Sequence, residues 1–463
     1  MLSYLGMIFI GSFLLSMPFA FKNNPNNEWC HVGSYLDALF TSVGAMTLTG
    51  VTTYSGGLGD TLSVAGQIIV LILVQIGGLG IVTILTFFFS IVKGKLQFKE
   101  RLVVSQAIAF DNFSEVARYV RRLMLITLIC EVTGFGLGVP LFLQIFPGNT
   151  MKALYHAAFY TISAFNNAGF DLSAGTSSLI NGIQLTGGTF IEPSSWLYYY
   201  ANAYLSILSL LGGISFLVII DIVLGHKPPR LWTSFTKVCL MMTFGLIVVM
   251  TGLLFVTDGF KPDDPMMLHE ALFQVINCRT AGFSVYPQET ISVPGRIICG
   301  VMMFIGGSPL STAGGIKVTT IFVIVLAIIS YFRGKRLSAF KRRYSYDLVA
   351  KSMSLVFIVV SFLFVAFGLL ILFGTKKGDD NISENIAANK SAFLLYEVFS
   401  CFGNVGFQTG LEPYLSVGSR LVLCIVMLVG HLGPMAIFQL FQNNLDKNAN
   451  VHYSFVEEDF LIG

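Results

Sequence analysis

The feature that most limits what this chain can become is the length rhythm of its apolar stretches. Eight long ones lie near 2–20, 63–92, 120–146, 198–224, 235–257, 294–332, 351–374 and 417–442. A helix needs about 20 apolar residues to cross a bilayer, so each is read as a span. Four shorter, mildly apolar stretches sit between them, near 35–46, 154–165, 268–278 and 392–402. Segments of about 10–14 residues cannot cross and read as re-entrant or interfacial. The order long, short, long therefore runs four times. Only 11% of the 463 residues are charged, against about 25% in an ordinary soluble domain, and mean hydropathy is +0.74. Such a chain cannot cover itself with polar groups, so an all-α polytopic membrane protein in contact with lipid is expected. The net charge of +3 gives no reason to expect nucleic-acid binding. The seven cysteines are scattered and show no metal-ligand spacing, so they read as small core hydrophobes.

Positive charge marks the cytoplasmic side. The loops 93–122, 226–237 and 333–351 hold seven, three and seven of the 28 Lys and Arg residues. They are placed in the cytoplasm, with both termini, and the short stretches then open outward. The first span begins almost at Met1 and lacks the basic start and cleavage site of a signal peptide.

Directly after each short stretch comes a similar pentapeptide: TLTGV at 47–51, NNAGF at 166–170, RTAGF at 279–283 and GNVGF at 403–407. Their glycines, Gly50, Gly169, Gly282 and Gly406, are separated by 119, 113 and 124 residues. This period divides the chain into repeats 1–92, 93–225, 226–334 and 335–442 and a tail, 443–463, each repeat being helix, short helix, glycine loop, helix. Irregular backbone survives at membrane depth only where protein or water satisfies its polar groups. Four such loops with fourfold pseudosymmetry about one axis would turn backbone carbonyls into a central pore, where they can replace the hydration shell of a potassium ion. Glycine suits the role because it adopts φ > 0 and leaves the lumen clear. The candidate ion-binding residues are Thr49, Gly50, Val51, Ala168, Gly169, Phe170, Ala281, Gly282, Phe283, Val405, Gly406 and Phe407. The plainer alternative is four re-entrant turns that use glycine only for turning.

The sequence here resembles the Trk/Ktr/HKT superfamily of potassium transporters, and most of all the membrane subunit of the bacterial Ktr type. The resemblance rests on SAFNNAGF at 163–170, RTAGF, GNVGF, QIGGLG at 75–80, the Gly/Ser run 306–316 and GHLGP at 430–434. It implies one chain built like four fused potassium-channel subunits, a homodimer in the plasma membrane, and a separate cytoplasmic nucleotide-binding ring of the RCK/KTN type. The basic loops 93–122 and 333–351 and the tail would be its docking surfaces. Glycine at all four filter positions implies preference for potassium, with sodium coupling left open and no cofactor on this chain.

The sixth apolar stretch would be about 58 Å long as one helix, about twice the hydrocarbon core, so it must break. The place is IGGSPLSTAGGIK at 305–317, with Gly306, Gly307, Pro309, Gly314 and Gly315. It reads either as a surface connection or as an intramembrane loop obstructing the pore, which is the role the resemblance implies; Ser308, Ser311 and Thr312 can satisfy freed backbone groups or interact with ions, and Lys317 sits at its end. His431 stands where the family commonly has an arginine near this gate; a packing role is the alternative. The family also usually has a short basic tail before the first helix, and this chain has almost none, so whether Met1 is the true start stays open. Glu131 is an intramembrane acid and a functional candidate by type, with a structural role expected. Arg279, Asn166, Asn167 and Asn404 are expected to brace the loops, Arg279 through backbone carbonyls. His156, His269 and Asp37, each 13 residues before a filter glycine, are expected to mark the starts of the short helices. An alternating-access symporter is the second functional reading, although four units of one orientation argue against the inverted repeats of such proteins. No HExxH or GxSxG motif points to an enzyme.

Overall fold

In a long apolar stretch the backbone satisfies its own polar groups as helix, and the described residues are helical almost throughout. The computed structural model describes residues 2–22, 35–54, 57–80, 113–172, 196–224, 228–260, 266–286, 288–375 and 389–433. In chain order the helices are α1 (Leu2–Leu15), α2 (Tyr35–Met46), α3 (Gly57–Thr61), α4 (Val64–Leu79), α5 (Phe113–Ile145), α6 (Thr150–Phe165), α7 (Trp196–Gly213), α8 (Phe216–Ile219), α9 (Ser234–Asp258) and α10 (Leu268–Cys278). They continue as α11 (Val293–Phe304), α12 (Val318–Phe332), α13 (Tyr346–Phe373), α14 (Lys390–Gly403) and α15 (Val417–Leu432). A small hairpin pairs β1 (Ser338–Ala339) antiparallel with β2 (Arg342–Arg343). Five helix starts are written in the sequence: Ser63, Asn149, Thr233, Ser292 and Ser416 each accept a bond from the N–H three residues on, which satisfies a donor the first turn would otherwise leave free.

Two kinds of helix result. The long ones carry their apolar side chains outward. In α13 only Val359, Leu363, Ala366 and Leu370 are buried, while Phe357 is 73% and Leu372 80% exposed. Such a surface suits lipid and not water. The spans Val120–Ile145, Ser234–Asp258 and Tyr346–Phe373 are long and apolar enough to cross a bilayer, with a fourth if Trp196–Gly213 and Phe216–Val223 count as one bent span. The other apolar helices among the described residues are 10–17 residues long. The segments 81–92 and 434–442, which complete two of the expected spans, lie outside the described residues.

The four short helices α2, α6, α10 and α14 are the opposite. They form the core, burying Phe40, Phe159, Phe273 and Phe393 together with polar residues such as Thr41, Ser163, Gln274 and Ser400. Each is tied to a neighbouring segment by a polar contact. Tyr155 Oη of α6 donates to Gln67 Oε1 of α4 (2.7 Å), Tyr198 Oη of α7 to Glu270 Oε1 of α10 (2.7 Å), and Tyr396 Oη of α14 to Gln288 Oε1 (2.6 Å). For α2 the tie is an ion pair: Arg420 Nη1 of α15 meets Asp37 Oδ1, which also accepts from Thr53 Oγ1 (2.6 Å). Arg420 Nη2 donates to Pro413 O (3.0 Å).

Two of the expected spans are broken. The sixth divides into α11 and α12, with the break at 305–317 as the glycine run implied. The fourth, expected as continuous over 198–224, turns through 97° between α7 and α8. The reason is steric and polar at once. A Cβ on Gly212 would sit 1.8 Å from Phe165 O, and the carbonyls of Gly212 and Gly213 accept from Thr312 N (3.4 Å) and Ser308 N (3.3 Å) of the 305–317 segment.

Breaking a buried ion pair by removing one partner costs about 3–5 kcal/mol, because the other charge stays buried. Arg420→Met is therefore expected to lower the Tm of the detergent-solubilised protein sharply, and a second change, Asp37→Asn, to restore part of the loss. A Tm unchanged by Arg420→Met would remove this pair from the stability of the fold.

Candidate functional site

Each short helix ends in a loop of the same backbone shape. The four glycines are all left-handed: Gly50 at φ 74°, Gly169 at 65°, Gly282 at 74° and Gly406 at 93°. Two residues earlier, Leu48, Asn167, Thr280 and Asn404 also have positive φ. In three loops the residue before the glycine donates its N–H to the helix five positions back: Thr49 to Gly44 O (2.7 Å), Ala168 to Ser163 O (2.8 Å) and Val405 to Ser400 O (2.9 Å). In the third, Ala281 and Gly282 both donate to Asn277 O (3.0 and 3.3 Å). The residue after the glycine is held from behind by a hydroxyl in two loops, Ser163 Oγ to Phe170 O (2.9 Å) and Ser400 Oγ to Phe407 O (3.1 Å). Val51, Phe170, Phe283 and Phe407 are buried.

The loops meet in cyclic order. A Cβ built on Gly50 would lie 2.2 Å from Ala168 O, on Gly169 2.8 Å from Ala281 O, on Gly282 2.1 Å from Val405 O, and on Gly406 1.8 Å from Thr49 O. Thus the first loop abuts the second, the second the third, the third the fourth, and the fourth the first. All twelve candidate ion-binding residues of the sequence reading fall in these loops. Glycine here is required twice, by its backbone hand and by the next loop's carbonyl.

The bracing asparagines behave as expected. Asn404 Nδ2 donates to Thr49 Oγ1 (2.8 Å) in the neighbouring loop and to Met427 O (3.1 Å). The Asn167 amide accepts from Thr312 Oγ1 (2.9 Å) and Gly213 N (2.9 Å) and donates to Ser209 O (3.0 Å). Asn166 Nδ2 donates to Gln75 Oε1 (2.9 Å), and Gln75 Nε2 to Glu131 Oε1 (2.8 Å). Glu131 thus gains the partners the sequence did not name: it joins α4, α5 and the second glycine loop. Arg279 differs from expectation. Its Nη2 donates to Thr243 Oγ1 of α9 (3.3 Å), a side-chain partner and not a carbonyl. Asp37 takes the ion pair described above, whereas His156 packs among Phe142, Phe146, Tyr155 and Tyr160, and His269 against Tyr198 and Tyr199.

The 305–317 segment folds back on itself against two of the loops. Ile305 bridges Ile316, and a Cβ on Gly306 would lie 1.8 Å from Gly314 O. Ser311 Oγ donates to Ser308 O (2.7 Å), Val318 N to Gly307 O (3.2 Å), and Lys317 Nζ to Ala313 O. Through Thr312 the segment reaches Asn167. At Gly314 it packs so closely that a Cβ would lie 2.2 Å from Asn404 Oδ1. The candidate gate residues Gly306, Gly307, Ser308, Ser311, Thr312, Gly314, Gly315 and Lys317 are therefore together, against the starts of the second and fourth loops. His431 stacks its ring on Tyr4 at 5.5 Å and lies within electrostatic range of Lys317 at the end of this segment. Sequence reading passed over Arg420, Gln75, Thr243 and the α7–α8 break. Arg420, a lone arginine in an apolar stretch, was a signal that could have been read.

Comparison with known proteins gives a consistent answer. Residues 22–453 match the family model TrkH, described as a cation transport protein. The chain is 29% identical to the potassium/sodium uptake protein NtpJ of Enterococcus hirae, over 99% of this chain and 95% of that one. It is also 29% identical to the Ktr system potassium uptake protein B of Bacillus subtilis, over 96% and 92%. The fold is similar to that of the crystal structure of the potassium transporter TrkH from Vibrio parahaemolyticus, with TM-score 0.63 and 20% identity, over 95% of this chain and 84% of that one.

The Glu131 network yields a stability test. Glu131→Leu strips acceptors from Gln75 and Asn166 and is expected to cost about 1–3 kcal/mol, at the scale of hydrogen bonds inside membrane proteins. Glu131→Gln, which keeps a carbonyl acceptor, should cost less than half as much. Equal losses of Tm for the two variants would show that size and not hydrogen bonding matters at this position.

Proposed function

The chain belongs to the TrkH family of cation transport proteins, and from that premise we propose that it is the potassium-translocating subunit of an uptake system in the plasma membrane. Members of this family are membrane-embedded ion transporters, not enzymes. The observation that carries the potassium reading is the closed cyclic contact of the four glycine loops. Four repeats, 1–92, 93–225, 226–334 and 335–442, would place these loops with fourfold pseudosymmetry around one axis. Carbonyls of residues 49–51, 168–170, 281–283 and 405–407 would then replace the water around a dehydrated potassium ion. No chemical step is needed, since a monovalent cation entering down a potential of 100 mV gains about 2.3 kcal/mol. The relatives named for potassium and for potassium/sodium uptake support this cation class. The close interlocking of the loops favours a fixed ion path over alternating access.

The segment 305–317 is the gate in this reading, because it packs against the starts of two loops, on the side away from the outer entrance. Eight spans would put both termini in the cytoplasm. The hairpin region is then a cytoplasmic surface: Arg333, Lys335, Arg336, Lys341, Arg342, Arg343 and Lys351 are all exposed on it. It suits docking of a nucleotide-binding ring, which would pull on α12 and the gate. The other expected docking surfaces, most of 93–122 and the tail 443–463, lie outside the described residues. The working unit is a homodimer in lipid.

Uptake measured in cells lacking their own potassium transporters tests both parts. Wild type should restore growth on low potassium when co-expressed with a regulatory subunit. Gly50→Ser and Gly282→Ser, which place a side chain on a neighbouring carbonyl, should lower discrimination of potassium over sodium about tenfold or more, at the scale of one lost coordinating group. Deleting 307–314 should raise uptake and uncouple it from the regulator. Rescue indifferent to both serines would move the ion path elsewhere, and unchanged uptake after the deletion would remove the gate.

A further inference from the structure

Two buried carboxylates behind the fourth glycine loop have no part in the reading above. Glu397 lies on α14 and Glu412 in the turn before α15, both outside the long helices. Glu397 is 0% and Glu412 1% exposed. Both grip one residue. Thr409 N donates to Glu397 Oε1 (3.1 Å) and to Glu412 Oε1 (2.8 Å), and Thr409 Oγ1 donates to Glu397 Oε1 (2.6 Å). The two carboxyls therefore converge on one N–H, that of Thr409. Thr409 follows Phe407 by two residues, so it sets the end of the fourth loop that leads away from the 305–317 segment.

No cation neutralises this pair among the described residues. Arg420 of α15, the nearest in the turn, is held by Asp37 and Pro413 O. Arg296 of α11 lies over the Phe393 ring and gives its Nε to Ile291 O. The buried face of α13 is apolar. The remaining titratable groups nearby are Tyr396, Cys401 and, from α15, Cys424. Two ionised carboxylates cannot share a dry site without a cation, and neither can donate to the other unless one holds a proton. Burial pushes both carboxyls up, Glu397 furthest, where Glu412 adds to the effect.

We propose that Glu397 and Glu412 share one proton, and that this acid pair is a positioning device holding the outer mouth of the fourth glycine loop through Thr409. The pair binds more protons folded than unfolded, so its hold is complete below the ordinary carboxyl range and is lost as external pH rises through the raised folded value. Loss of the proton leaves two repelling charges, which part and release Thr409. Alkaline conditions outside should then loosen one quarter of the ion-selective ring while leaving the 305–317 segment untouched. The effect on transport rests on the potassium reading above; the shared proton itself does not.

The test pairs infrared spectroscopy with transport on the purified full-length protein in liposomes. Wild type should show the carbonyl stretch of a protonated carboxyl at neutral pH, and Glu397→Gln should lack it. Gln at 397 can still accept from Thr409 and donate to Glu412. Raising external pH should lower potassium-over-sodium discrimination about tenfold in wild type, the factor of one ordinary hydrogen bond, and leave Glu397→Gln flat. A missing band in wild type, or a variant that follows the wild-type pH profile, overturns the proposal. Glu412→Gln makes the same predictions and serves if Glu397→Gln does not fold. Liposomes that pass neither ion would count against the potassium reading, while the band would still decide the shared proton.

Discussion

Everything in this molecule is arranged around backbone that is not helical yet is buried among helices. Four glycine loops press against one another so closely that each glycine would carry its Cβ into a carbonyl of the next. Nothing in the loops themselves pays for that arrangement, because left-handed residues are costly for side chains other than glycine, and Leu48, Asn167, Thr280 and Asn404 all adopt it. The surroundings must hold them there. The short helices supply the first support, by accepting the loop N–H groups on their last carbonyls.

The second support is polar and runs between segments. Tyr155 with Gln67, Tyr198 with Glu270, Tyr396 with Gln288 and Asp37 with Arg420 fix the short helices to their neighbours, with different chemistry at each place. A lipid-facing shell cannot do this, since apolar packing against lipid has little preference for one arrangement over another. Hydrogen bonds with defined partners do. Many polar residues among the described ones, such as Thr41, Gln274 and Asn404, are consequently inside and many large apolar ones, such as Phe357 and Leu372, outside, the reverse of a water-soluble domain.

Much of this was legible from spacing. The short stretches, the glycine period and the break in the 294–332 stretch are one-dimensional signals, and the structure has helices and loops at those places. The offsets of Asp37 and His269 from their glycines did mark the first turns of short helices, whereas His156 falls in the second turn of α6, which starts earlier, at Thr150 with Asn149 as its cap. What could not be read was partner choice. Asn404 meets Thr49 across 355 residues, and no local pattern names that pairing. The bend between α7 and α8 was hidden for a related reason: Gly212 and Gly213 in an apolar run look like helix-packing glycines, and only the 305–317 segment lying against them turns them into a break. Arg279 was assigned to carbonyls from its motif, but α9 brings Thr243 within its reach. Glu397 was overlooked because its stretch is mildly apolar as a whole.

The contact between the last loop and the first has a consequence for how the molecule is made. The ties across that junction, Asn404 to Thr49 and Arg420 to Asp37, join residues separated by 355 and 383 positions. During synthesis the first loop therefore waits, half-walled, until almost the entire chain has emerged. A nascent chain halted before the fourth glycine loop has no closed ring, and one halted before α15 lacks Arg420, the ion-pair partner of Asp37. An unfinished copy therefore lacks the closed ring of four glycine loops. The ring at the centre of the fold is thus among the last of its contacts to become possible as the chain is made.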